Sequence, residues 1–171
     1  MSDLVQRVVD FLLEFLPCRI VNEWEQGVRL YLGRMGDEPL QPGLWWFVPF
    51  LGEIVLQPVV DEVVETDLQT VTMTDGNVLT FSLAIRYRVK DCVALYRAVR
   101  EHDDSILDAI RSAAGQVASS AHDLEHARKT LATLTATQAR KNMRGWGVEI
   151  KAVATINLTT SPVLRLLGAQ E

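Results

Sequence analysis

Apolar side chains occupy every second position from Leu79 through Phe81, Leu83, Ile85, Tyr87 and Val89, with Thr80, Ser82, Ala84, Arg86, Arg88 and Lys90 between them. Alternation of period two predicts a strand with one buried face. Asp75-Gly76 just before it is a strong hairpin signal. Upstream, "RIVNEW" and "VRLYLGR" flank Glu25, Gln26 and Gly27 and predict another hairpin, followed by a glycine- and proline-rich loop at "MGDEPLQPG". The run "PGLWWFVPFLG" places Leu44, Trp46 and Val48 on one strand face and Trp45, Phe47 and Phe50 on the other. Both faces are apolar, so the pattern excludes a half-solvated strand. "EIVLQP" and "LQTVTMT" supply further strand segments.

At Asp91 the period changes to that of a helix. "DCVALYRAVR" predicts a short helix, and Asp104 with Ser105 caps a second, whose stripe is Ile106, Ile110, Ala113, Val117 and Ala121. A third starts near Asp123, with Leu124, Ala127, Leu131, Leu134 and Gln138 spaced three and four apart. Ser120 and Asp123 stand at capping-box spacing before it. "RGWG" ends this helix, and Val148, Ile150, Ala152, Ala154, Ile156 and Leu158 alternate as a last strand. At the other terminus, "MSDLVQRVVDFLLEFLP" lines up Gln6, Asp10 and Glu14 beside Arg7. Leu4, Val8, Phe11, Leu12 and Phe15 fall on a wide apolar face, and Pro17 ends the segment. This amphipathic helix over 3–16 packs on its own domain, lies in a membrane interface or joins an oligomer seam.

Helix, strands, helices and a final strand make an α+β protein with a mainly antiparallel first half. The expected organisation is an N-terminal helix over 1–17, a domain over 18–160 with subdomains at about 18–74 and 75–160, and a short tail over 161–171. No internal repeat or low-complexity segment interrupts it.

Composition narrows the function. The chain has 171 residues, 48% hydrophobic and 23% charged, which is the balance of a globular protein. Seventeen basic against 22 acidic side chains give a net charge of -5, which argues against nucleic acid and against a basic footprint on anionic lipid. Cys18 and Cys92, far apart in sequence, indicate free thiols in a reducing compartment. Asp3, Asp10 and Glu14 break the pattern of a secretory signal. The tryptophan run is too short to span a bilayer, which takes about 20 apolar residues.

One motif suggests catalysis. "HDLEH", His122 to His126, has the H-x-x-E-H spacing of inverted zinc peptidases, with Glu125 as the general base. A third ligand is required, and after the motif only Glu149 and Glu171 are available as glutamates, so exposed histidines at a helix start are the preferred reading. No G-x-S-x-G, Walker-type loop or C-x-x-C pair occurs.

Several separated stretches together resemble a known family. "VNEWEQGVRLYLGRMGDEPLQPGLWWFVPFLGEIV" is similar to the opening of the SPFH, or band-7, domain of stomatins, prohibitins and flotillins. "TMTDGNVLTFSLAIRYRVKD", "AIRSAAGQ", "EHARKTLATL" and "WGVEIKAVATINL" resemble its later motifs in the same order. The likeness covers roughly residues 19–160. Tyr87 and Asp91 match the family's tyrosine and aspartate, and Gly27, Gly33, Gly43, Gly76 and Gly147 its turn glycines. The resemblance implies no catalytic residues, metal or cofactor. It implies a membrane-associated scaffold that assembles into homo-oligomeric rings or cages and organises or restrains membrane proteins, membrane-bound proteases among them. The family's N-terminal hydrophobic span is matched here only by the helix over 3–16, and its long coiled coil only by "SPVLRLLGAQE". Attachment is therefore expected to be peripheral, on the cytoplasmic face, or through a partner. Cys18, beside the amphipathic helix, is open to acylation as juxtamembrane cysteines are in some relatives, though an unmodified, partly buried thiol is the plainer reading. The contacting residues expected are Leu4, Val8, Phe11, Leu12, Phe15, Trp45, Phe47, Phe50 and Leu51. A soluble oligomeric adaptor, using the same apolar surfaces on a partner such as a protease, is the alternative.

Overall fold

The computed structural model describes residues 18–162. The expected N-terminal helix, with Leu4, Val8, Phe11, Leu12 and Phe15, lies outside the described residues, as does the tail from 163. The described chain forms two compact units, one of residues 18–60 with 91–94 and one of residues 61–90 with 95–162.

In the first unit, β1 (Cys18–Val21) pairs antiparallel with β4 (Gly43–Trp46) as a two-stranded ribbon. The strands β2 (Glu25–Tyr31), β3 (Arg34–Met35) and β5 (Gly52–Pro58) form a second antiparallel sheet in the order β3-β2-β5. The hairpin expected around Glu25 to Gly27 is not formed. Those residues are the start of β2, and the turn lies one step earlier, where the Glu25 N–H donates to the Asn22 carbonyl at 3.1 Å and the Asn22 side-chain amide donates to the Glu25 carboxylate at 2.9 Å. After the turn the two strands diverge into different sheets. The hairpin that does form joins β2 to β3 through Leu32 and Gly33, both at positive φ (49° and 74°). A two-residue primed turn requires that conformation. Gly27 is buried. A Cβ there would come within 3.1 to 3.3 Å of Ile54 and Leu40. Glycine thus allows β2 to lie against Leu40, with which it exchanges both backbone hydrogen bonds. The core of this unit is Val21, Leu40 and Ile54, with Trp45, Phe47 and Leu56 packed on it.

The second unit is a four-stranded antiparallel sheet under helices. β8 (Val78–Val89) is its centre. β6 (Asp61–Glu65) and β7 (Gln69–Thr72) follow one another along one edge of β8, and β9 (Val148–Ser161) runs along the other. The short helix α1 (Cys92–Ala98) has its first turn in the first unit and its remainder in the second; it follows Asp91, whose carboxylate caps it by accepting from the Ala94 N–H at 3.0 Å. The helices α2 (His102–Ser119) and α3 (Leu124–Asn142) pack against each other and against β7 and β9 respectively. The alternating residues Leu79, Phe81, Leu83 and Ile85 are fully buried together with Ile106, Ile110 and Leu131. The Asp75-Gly76 turn forms as expected, with Gly76 at φ 85° and the Asp75 carboxylate accepting from the Asn77 N–H at 2.8 Å.

Three sequence expectations need correction. The division near residue 74 moves to residue 60, because β6 and β7 are held by pairing with β8. The cap of α2 is Glu101, without a side-chain hydrogen bond, in place of Asp104 or Ser105. At α3, Asp123 does cap the helix by accepting from His126 N–H at 2.6 Å, but Ser120 bonds back to the Val117 carbonyl at 2.7 Å and closes α2. The α+β class, with a strand-rich antiparallel first half followed by helices and a final strand, is the one observed.

Candidate interaction surface

The ribbon of β1 and β4 has two unlike faces. Its register sets Ile20 opposite Leu44 and Cys18 opposite Trp46. Ile20, Leu44, Trp46 and, past the strand end, Val48 are 51% to 64% exposed, although all four are large and apolar. The other face turns inward. There Trp45 and Phe47 pack on the Val21, Leu40 and Ile54 core. The Trp45 indole N–H donates to the Gln41 carbonyl at 2.7 Å, and the Arg29 guanidinium lies 5.6 Å from its ring centre. That distance is within the range of a cation–π attraction. Trp45 and Phe47, both expected at the contacting surface, are half-buried against this core, while Leu44, Trp46 and Val48 face out. The strand is half-solvated after all, with apolar side chains on its wet face.

Phe50 and Leu51, also expected at the contact, stand at the tip of the following loop. Phe50 is 92% exposed and holds φ 67°. A bulky residue adopts this left-handed region only at a cost of about 1–2 kcal/mol. Leu51 and Gly52 donate to the Val48 carbonyl at 3.2 and 3.0 Å, which closes the loop. Gly52 fits there because a Cβ would meet the Leu30 carbonyl at 2.7 Å. The Leu32 N–H donates to the Leu51 carbonyl at 2.7 Å, so the β2–β3 turn and the Phe50 loop sit side by side. Leu32, at positive φ like Phe50, is 65% exposed. Trp46 and Val48 share a cavity of about 340 Å³ with Tyr31, Phe47 and Gly52, which ties the ribbon's outer face to the same loops. The result is one apolar surface of Ile20, Leu44, Trp46, Val48, Leu32, Phe50 and Leu51. Monomeric proteins rarely leave such patches open to water.

A family model described as SPFH domain / Band 7 family matches residues 19–165. The chain belongs to that family. Members of the SPFH family are generally membrane-associated scaffolds without enzymatic activity, and they typically oligomerise. No curated protein matches the chain. Among the described residues of this SPFH protein, no helix is long and apolar enough to cross a membrane.

The remaining candidate groups of the SPFH chain are placed as follows. His122 Nδ1 lies 2.9 Å from the Thr74 hydroxyl, and the His122 and His126 rings are 6.0 Å apart at the start of α3. No cluster of three metal-ligating residues occurs among the described residues. Cys92 is buried; desolvation, with Asp91 adding to it, pushes its thiol up to about 11. It is therefore a poor nucleophile at neutral pH. Tyr87, at the family's tyrosine, donates to the Glu62 carboxylate at 2.9 Å. Burial first, and then this bond to Glu62, raise its phenol well above the usual range, which fixes it as a neutral donor across the β6–β8 pair. The sequence expectation did not include Ile20, Leu32, Leu44, Trp46 and Val48, which are large apolar residues left exposed. For Leu32 a signal was present in the Leu-Gly pair between "VRLY" and "RM".

Proposed function

We propose that this protein is a non-catalytic scaffold that sits peripherally on the cytoplasmic face of a membrane, assembles with copies of itself there, and organises or restrains membrane proteins. One observation carries this reading: the exposed apolar surface of Ile20, Leu32, Leu44, Trp46, Val48, Phe50 and Leu51, two of whose members occupy strained backbone positions. Family membership supports the membrane association, and the amphipathic sequence over 3–16, with Leu4, Val8, Phe11, Leu12 and Phe15, would add to the contact. Tryptophan suits a bilayer interface because its ring and its N–H can each find a favourable environment.

Co-flotation with phosphatidylcholine vesicles tests the reading through two adjacent tryptophans. Trp46→Asp is expected to keep the fold by circular dichroism and to lose flotation, because its ring points away from the core. Trp45→Asp is expected to destabilise the first unit, because its ring lies on the core. Wild-type protein that stays at the bottom of the gradient with every lipid mixture, yet retains a partner protein through Trp46, would move the surface to the alternative role of an adaptor.

A further inference from the structure

Strand β9 has β8 along one edge, and among the described residues no strand pairs with its other edge. On the far side of the same sheet β6 and β7 likewise have no strand beyond them among the described residues. A free edge offers unpaired backbone groups to any extended chain, and natural proteins protect such edges with charge, bulges or cover. The two halves of β9 differ in this respect. Near its start, Arg140 donates from Nε and Nη2 to the Ile150 carbonyl at 3.3 and 3.0 Å, and Lys151 sits in a bulge. From Ala152 to Ser161 the strand has no charged residue, and only a second bulge, at Ile156, interrupts it. An uncharged, β-prone run left open is an aggregation hazard. Beside it lies a groove of about 590 Å³, lined by Leu124, Arg128, Ala132 and residues 155–159.

The two free edges match each other end for end. Thr159 of β9 and Thr70 of β7 are both paired with Thr80 of β8, so they stand level across the sheet. At this end both edges are uncharged, "QTVT" on β7 and "NLTTS" on β9. At the other end β6 exposes Asp61 and Glu65, whereas the start of β9 borders a pocket lined by Lys90, Arg140, Arg144 and Lys151 together with Glu149. Glu149 lies 2.5 Å from Lys151 and 3.2 Å from Lys90. Exposed apolar side chains also mark both edges, Val63 and Leu68 on one and Ile156 on the other.

We propose that β9 of one copy pairs with the β6–β7 edge of a second copy, so that the sheet continues from chain to chain. β6, β7 and β9 all run antiparallel to β8, so the new pairing is parallel. The basic start of β9 then lies beside acidic β6, and the uncharged half of β9 lies beside β7. Because the two edges are different surfaces, the contact is head to tail and leaves one edge of each kind for the next copy. It closes as a ring if the rotation allows and otherwise extends as a filament. The proposal specifies the contact behind the self-assembly named above and rests on that part of the reading, independently of the membrane contact.

Disulfide trapping tests it. Thr70→Cys and Thr159→Cys are combined in a Cys18→Ser background, and the protein is oxidised in solution and on phosphatidylcholine vesicles, with sedimentation run in parallel. Across a parallel pair the two positions come about 4.8 Å apart, within disulfide reach; within one chain they flank β8 at about 10 Å, beyond it. The expected result is a ladder of covalent multimers beyond the dimer from the double variant and none from either single variant. Adding Arg144→Glu and Lys151→Glu is expected to reduce the ladder at least tenfold, and mixing that protein with one carrying Asp61→Lys and Glu65→Lys to restore it. Covalent dimers from Thr159→Cys alone would overturn the proposal in favour of paired β9 edges. A ladder that appears only after removal of residues 163–171 would overturn it in favour of the tail as the cover of β9. Oligomers in sedimentation without any cross-link would overturn this contact while self-assembly stood. A chain that is monomeric in both settings overturns this contact and the self-assembly together, and flotation decides the membrane contact separately.

Discussion

Thr135 is fully buried in α3, and its hydroxyl has no hydrogen-bond partner among the described residues. A buried hydroxyl left unpaired costs more than the methyl group that could replace it, because it lost its water on folding and gained nothing in exchange. Thr135→Val keeps the shape and removes that cost. The expected outcome is a gain of about 1 kcal/mol in unfolding free energy, read as a higher denaturant midpoint with an unchanged slope. Equal or lower stability would show that the hydroxyl is satisfied in solution. At this scale the sequence is least informative. The stripe of Leu124, Ala127, Leu131 and Leu134 marks one face of α3 as apolar, yet Leu134 is 44% exposed while Thr135 beside it is buried. Periodicity fixes the spacing of a face, and only packing against α2 and β9 decides where that face is centred.

The strained turns show the same issue at the level of an element. Phe50 holds φ 67° while 92% exposed, a left-handed backbone position that costs a bulky side chain more than a small polar one. Asparagine tolerates φ 67° better than phenylalanine does. Phe50→Asn is therefore expected to leave the melting temperature unchanged or higher while lowering vesicle affinity by roughly tenfold or more, since a buried phenylalanine contributes about 1.5–3 kcal/mol. A parallel loss of stability and binding would instead make Phe50 a packing residue. Strand β8 was legible in the sequence because its period of two is unbroken and one face is entirely apolar. β6 was not, since "DEVVE" carries too many charges to read as a strand until Glu62 is seen accepting from Tyr87. The bulges of β9 defeat a simple alternation: Ile150 is buried, but Ala152, Ala154 and Ile156 are not. In "LWWFV" the alternation separates Trp45 from Trp46 correctly but cannot choose which of them is inside. That choice depends on Val21, across the ribbon in β1, and on Leu40 and Ile54, which reach the ribbon from elsewhere in the chain.

For the whole molecule, the net charge of -5 sets the kind of membrane contact available. An acidic chain gains nothing from the negative potential of an anionic leaflet, so binding must come from burial of apolar side chains. Apolar burial is not screened by salt, whereas repulsion between like charges is, with a screening length of about 10 Å at 0.1 M and about 3 Å at 1 M. Flotation on neutral vesicles is thus expected to be constant from about 0.1 to about 1 M salt. On anionic vesicles it is expected to be weaker at low salt and to approach the neutral value as salt rises. The opposite trend, strong binding to anionic vesicles that salt abolishes, would transfer the contact from the Trp46 and Phe50 surface to the cluster of Lys90, Arg140, Arg144 and Lys151, which has the charge to hold lipid phosphates. That cluster is also where the sheet edge is expected to meet a second copy. An anionic, salt-sensitive contact would therefore set lipid and self-assembly in competition for one surface, whereas a salt-insensitive one leaves the edge free to assemble while the apolar surface holds the membrane.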